Sequence, residues 1–160
     1  MSEPVLVIAV GNPSRGDDAL GFLLADRLEA WLAQEGLAGI EVLCDIQLNI
    51  EHALDLEGRR RVLFVDADVG GDLPVSCRPV LPRRDASYSS HSVSPQAVVQ
   101  ICRDLRLPEP PVVELLAVRG TAFELGAGLS PAAARNLAEA WTFLQGWCRE
   151  AAGVCAVSPP

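Results

Sequence analysis

The run Val5-Leu6-Val7-Ile8-Ala9-Val10 is apolar at every position and rich in β-branched residues. A strand with one wet face alternates polar and apolar side chains, whereas a strand covered on both faces does not. This run therefore reads as a parallel strand buried inside an α/β sheet. Gly11-Asn12 breaks it, since both residues tolerate the left-handed backbone of a tight turn. Pro13 to Gly16 carry a short loop, and Asp17-Asp18 open a helix, where the helix dipole favours carboxylates. Two acids thereby reach the carboxyl end of a central strand, the edge at which open α/β sheets place their sites. A purely structural role, Asp17 capping the helix and Asp18 complementing its dipole, accounts for acids at these positions equally well.

The alternation of strand and helix continues along the chain. Leu20, Leu24, Leu28 and Trp31 repeat at helical spacing and predict a helix ending near Gly36. Residues 41–45 form a second strand ending in Asp45. Residues 49–57 form a short helix with Ile50, Ala53 and Leu54 on its inner face and His52 as a surface or packing residue. Residues 62–65 form a third apolar strand, ending in Asp66-Ala67-Asp68. Within 73–81, Pro74 and Pro79 restrict any strand to a short antiparallel one at the sheet edge. A polar loop over 83–90 leads to His91. Ser94-Pro95 is an N-cap followed by a proline at the first helical position, with Val98, Ile101, Cys102 and Leu105 as the buried stripe. A proline-rich linker, 108–111, precedes a last strand over 112–118. Ser130-Pro131 starts a final helix to about Ala151, with Leu137, Trp141, Leu144 and Cys148 inward, and 154–160 reads as a frayed tail. The expectation is one α/β domain over 1–160, its mostly parallel sheet covered by helices on both faces.

Composition excludes several functions. With 160 residues, 49% of them apolar, the chain can bury a sizeable core. A net charge of −8 argues against a nucleic-acid or anionic-membrane surface. All thirteen basic residues are arginine, which rules out a Schiff-base lysine and a P-loop lysine. Cys44, Cys77, Cys102, Cys148 and Cys155 are scattered without CxxC spacing and read as reduced thiols. With no signal-like or membrane-spanning run, a soluble cytoplasmic protein is expected.

In a parallel sheet the ends of strands one and three share an edge. Asp17/Asp18, Asp66/Asp68 and the His91 loop can then converge in one crevice. Two carboxylates and an imidazole suit a divalent transition metal and leave coordination positions for a substrate. Two other readings compete. Phe64-Val65-Asp66-Ala67-Asp68-Val69 looks like the nucleophile strand of haloacid-dehalogenase-type phosphatases, which use a carboxylate nucleophile and magnesium. The absent lysine and the preceding strand–helix unit count against it. A non-enzymatic α/β binding module would show neither metal affinity nor activity. No serine or cysteine is tied to His91 by a triad or dyad motif.

Val7-Ile8-Ala9-Val10-Gly11-Asn12 followed by Asp17-Asp18-Ala19-Leu20-Gly21 resembles the N-terminal signature of the nickel–iron hydrogenase maturation endopeptidases. Asp66-Ala67 and Ser90-His91 fall in the family's order and at similar spacing, so the likeness covers about residues 5–150. The resemblance implies a twisted, mostly parallel five-stranded sheet between helices in a three-layer sandwich. It implies an aspartyl-type endopeptidase that removes a C-terminal extension from the hydrogenase large-subunit precursor after nickel insertion, in the sense of an enzyme regulator. Nickel would be supplied by the substrate and bound transiently. The residues that contact it in the family match Asp18, Asp66 and His91 here, and the same three are the catalytic candidates. A monomer without nucleic-acid or membrane partners is expected. Gln47-Leu48, with Glu51-His52-Ala53 following, looks like the subgroup serving soluble, cofactor-reducing hydrogenases. Ala19 stands where a glycine is common, and the Gly-Gly-Thr turn after strand two is absent; both bear on which hydrogenase is the partner. The roles of Asp17, Asp45, His52 and Asp68 stay open between catalysis and turn or cap chemistry.

Overall fold

The computed structural model describes residues 3–86 and 92–153. The expectations for His91, Cys155 and the 154–160 tail fall outside the described residues. The elements are β1 (Val5–Val10), a 3₁₀ turn (Gly16–Ala19), α1 (Leu20–Glu35), β2 (Ile40–Asp45), α2 (His52–Leu56), β3 (Arg61–Asp68), β4 (Val75–Pro79), α3 (Pro95–Asp104), β5 (Val112–Arg119) and α4 (Pro131–Ala151). They build a five-stranded sheet in the order β2-β1-β3-β5-β4. All pairings are parallel except β4 against β5, so the proline-bearing strand is the antiparallel edge.

Every residue of β1 is buried, because both of its faces are covered. Val5, Val7 and Ala9 join Leu63 and Val65 under α1 and α4. Leu6, Ile8 and Val10 join Val62 and Phe64 under α2 and α3. Two cores on either side of one sheet make the three layers. The period-2 alternation of a strand also fixes where the acids go. Asp66 follows Val62 and Phe64 in parity, so it rises on the α2/α3 side.

The chain runs outward from β1 to β2, then crosses back to β3 on the other side of β1. The reversal lies between β1 and β3, and the crevice outside their carboxyl ends is the topological switch point of the sheet. Ala9 pairs with Val65, which sets Val10 and Gly11 beside Asp66.

The first helix is held unusually close to this point. A Cβ on Gly21 would lie 2.3 Å from the Val10 carbonyl oxygen, and one on Gly11, at φ 150°, would lie 2.1 Å from that of Asp18. Both glycines are therefore required for the helix start to sit on the strand end. α1 ends as expected, with Gly36 left-handed at φ 65°. Two local expectations are corrected. In α2 the inner residues are His52, Ala53 and Leu56, while Ile50 and Leu54 are exposed. In α3, Leu105 lies beyond the helix end and is exposed, and Ala97 and Val99 are buried beside Val98 and Cys102. Among the described residues, no helix is long and apolar enough to cross a membrane.

Gly21→Ala forces backbone apart from backbone, with no flexible side chain to yield. It should cost about 1–3 kcal/mol, read as a lowered midpoint in urea denaturation; an unchanged midpoint would show that the α1–β1 contact is looser than described.

Candidate active site

A cleft of about 580 Å³ opens at the switch point, with Val10, Gly11, Asp18 and Asp66 on its floor. Ile46, Gln47 and Leu48, which follow β2, form one wall. The opposite wall comes from Asp85, Ala86 and the residues from Ser92 to Pro95. The walls are tied to each other and to α3. The Val93 amide donates to the Leu48 carbonyl at 3.3 Å. The Ser94 amide and hydroxyl both donate to the Asp85 carboxylate, and the same hydroxyl accepts from the Ala97 amide at 3.1 Å as the N-cap of α3. Arg84 holds Asp104 through both carboxylate oxygens at 2.6 and 2.9 Å. The described residues up to Ala86 and from Ser92 are thus anchored at the cleft.

The two acids of the first turn part company. Asp18 faces the cleft, where its Oδ2 accepts from the Asn12 amide at 2.8 Å. Asp17 is completely buried. It accepts from the Thr121 and Ala122 amides at 2.7 and 2.9 Å, and from the Ser130 amide and hydroxyl, both at 2.7 Å. Burial raises its pKa, but these bonds to Ser130, Thr121 and Ala122 outweigh it and hold the carboxyl at about 2. The expectation that Asp17 caps its own helix is corrected: neither the 3₁₀ turn nor α1 has a side-chain cap, and Asp17 instead holds Ser130, the residue that caps α4.

Asp66 has the opposite environment. Burial pushes its pKa from 3.8 to about 7; the Ala67 amide, donating at 2.8 Å, opposes the shift, and the negative charges of Asp18 and Asp68 add to it. A carboxyl poised near neutrality in a cleft is suited to proton transfer or to meeting a cation. A divalent ion between Asp18 and Asp66 would relieve the repulsion they now exert. Among the described residues no group of three His, Cys, Asp or Glu side chains is placed to hold a metal ion.

The remaining candidates take structural positions. Asp68 accepts from the Gly70 amide at 3.2 Å and turns the chain after β3. His52 is buried; its Nδ1 accepts from the Asn49 amide at 2.9 Å, which places the proton of the neutral ring on Nε2, 3.5 Å from Asp45 Oδ2. The pair pins α2 to the end of β2. The described cysteines are all free, and burial raises the thiol pKa of each, to about 12 for Cys77 and Cys148. No described thiol is therefore primed as a nucleophile. Sequence reasoning missed Asp85, hidden in a loop whose polarity signals only exposure.

No family model and no curated protein matches this chain. Solved structures do. The hydrogenase maturating endopeptidase HybD from E. coli superposes with a TM-score of 0.68 at 22% identity, over 94% of this chain and 93% of that one. The [NiFe] hydrogenase maturation protease HycI from Thermococcus kodakarensis KOD1 gives 0.67 at 19%, again over 94% and 93%. A hydrogenase 2 maturation peptidase from a Thaumarchaeota archaeon gives 0.62 at 21%, over 94% and 98%. This chain has their fold. The three-layer α/β sandwich inferred from strand pattern is thus the architecture of solved proteins along nearly its full length.

Two stability measurements probe the paired acids. Asp17→Ala strands three buried amides and should cost about 3 kcal/mol or more, seen as early urea unfolding. Because the folded pKa of Asp17 lies below 3.8, its contribution is complete above that pH and is lost as pH falls toward about 2. Asp66 has the reverse sign: its folded pKa lies above its unfolded value, so stability drops as pH rises from 3.8 to about 7. Asp66→Asn should match the wild type near pH 4 and exceed it at pH 8 in chelator-treated protein. Equal melting at pH 8 would contradict the strained carboxyl.

Proposed function

We propose that this protein is an endopeptidase that removes the C-terminal extension of a nickel–iron hydrogenase large-subunit precursor after nickel insertion. The observation that carries the reading is the pair Asp18 and Asp66 on the floor of the switch-point cleft, in a fold shared end to end with structures named as hydrogenase maturation proteases. The cleft, about 580 Å³, has room for the end of a chain.

Nickel belongs to the substrate in this reading: it arrives held by the large subunit's cysteines and polarises or orients what binds beside it. Asp18, Asp66 and His91 are the residues that would meet it. Carboxylates and an imidazole, without thiolate, make a weak and reversible set that leaves the metal with its cysteines. Recognition then discriminates loaded from unloaded precursor, since an empty precursor leaves two carboxylates facing each other without a cation.

The chain's own groups also supply proton chemistry. The pKa of Asp66 sits at about 7 only while no cation faces it, so a carboxylate of this cleft acts as the base that takes a proton from water attacking the scissile carbonyl only where the metal leaves it free. Asp17 is excluded from that role, because every face of its carboxylate is occupied by donors from 121–130. Asp68 and Asp45 are already engaged by the Gly70 amide and by His52. The phosphatase reading loses its second carboxylate on the same ground, since Asp68 turns the chain instead of lining the cleft.

The decisive test mixes the purified protein with large-subunit precursor, nickel-loaded or nickel-free, and follows the precursor's mass. Loss of a C-terminal peptide from the loaded form alone is the expected result. Asp18→Ala, Asp66→Ala and His91→Ala should each lower processing by about 10²-fold or more in protein that still melts cooperatively; full activity in any one removes that residue from the site. Cleavage of nickel-free precursor at the same rate would leave a metal-independent acid protease.

A further inference from the structure

The outer surface of α2 is not used by the fold. Ile50, in the turn that leads into α2, and Leu54, on α2, are four residues apart and are 63% and 58% exposed. Their neighbours His52, Ala53 and Leu56 take the inner face, and His52 is locked by Asn49 and Asp45, so the helix cannot roll its isoleucine and leucine inward. Ile46, 62% exposed, lines the cleft four residues before Ile50. Adjacent large aliphatic side chains left in water beside a site mark an interaction surface.

Charge narrows the occupant. Asp45, Glu51, Asp55 and Glu57 flank the three aliphatic residues in sequence, and no arginine or lysine lies between Arg27 and Arg59. A second copy of this chain, with net charge −8 and the same acidic border, would bring like charges together. A partner with an apolar patch bordered by Arg or Lys fits. Ile46 belongs to the cleft lining and leads in sequence into α2, so whatever places a chain end in the cleft meets Ile46 on the side from which Ile50 and Leu54 follow.

We propose that Ile46, Ile50 and Leu54 form an exosite on which the folded body of the protein substrate docks, through an apolar patch with basic surroundings, while its C-terminal segment enters the cleft. This rests on the protease reading above. It adds that affinity comes from outside the cleft, so that the residues around the cleaved bond need only be positioned.

The test compares wild type with an Ile50→Ser/Leu54→Ser double variant on nickel-loaded precursor. Both side chains are exposed, so the variant should melt with the wild type. KM should rise about tenfold or more while kcat stays within about twofold, and Glu51→Arg should raise KM in a manner that added salt reduces. If wild type cleaves and the double variant cleaves with the same KM, the exosite is wrong and the protease reading stands. If wild type does not cleave a precursor at all, the protease reading fails and the exosite falls with it. A wild-type dimer in sedimentation that the double variant abolishes would assign the patch to a second copy and overturn the proposal.

Discussion

A single buried charge organises the carboxyl edge of this sheet. Asp17 is fully enclosed, and its two oxygens gather the backbone of 121–122, the start of α4 and the hydroxyl that caps that helix. Its own amide donates back to the Ala122 carbonyl at 2.7 Å. Desolvating a carboxylate is costly unless its lone pairs are filled, and here four donors fill them. The exchange ties the segment after β1 to the segment after β5, which the chain separates by more than a hundred residues. Gly120 belongs to the same arrangement, since a Cβ there would lie 2.7 Å from that of Asp17. Once Asp17 is fixed, its neighbour has nowhere to go but outward, and the 3₁₀ turn presents Asp18 to the cleft.

Adjacent identical residues therefore take different surroundings, Asp17 buried among donors and Asp18 lining the cleft. One carboxyl is stabilised as an anion by directed hydrogen bonds. The other, with Asp66, contributes to a site where negative charges crowd and burial is incompletely compensated. Strain of this kind is retained where a site needs an incoming cation or a proton acceptor near neutrality. The fold bears it because the surrounding strands are locked by two cores: Ala9 and Val65 pack under α1 and α4, while Val10 and Phe64 pack under α2 and α3.

The strands and the crevice were legible because strand physics is periodic. The unbroken apolar run of β1 marked a strand covered on both faces, and the acids at the ends of the first and third strands marked the crevice. What distinguishes Asp17 from Asp18 was not legible, because it depends on donors at Thr121, Ala122 and Ser130 that only the tertiary fold brings near. The rotation of α2 was hidden for a different reason. A helix of five residues has too few turns for periodicity to decide its inner face, and both 50/53/54 and 52/53/56 satisfy it. The deciding interaction was polar, the hold of Asn49 and Asp45 on His52, and hydropathy reads polar residues as outward.

That misreading has a consequence for recognition. Apolar residues at Ile50 and Leu54 looked like core because a short soluble helix usually spends its aliphatic side chains inward. Their placement in water, beside a cleft whose reactive groups are few and weakly coordinating, separates two tasks in space. Carboxylates that bind metal loosely can report whether a precursor is loaded, but they cannot by themselves hold a large protein. On the proposed function, an apolar surface next to the cleft would supply that holding without tightening the metal contacts, so that the test of loading would stay reversible.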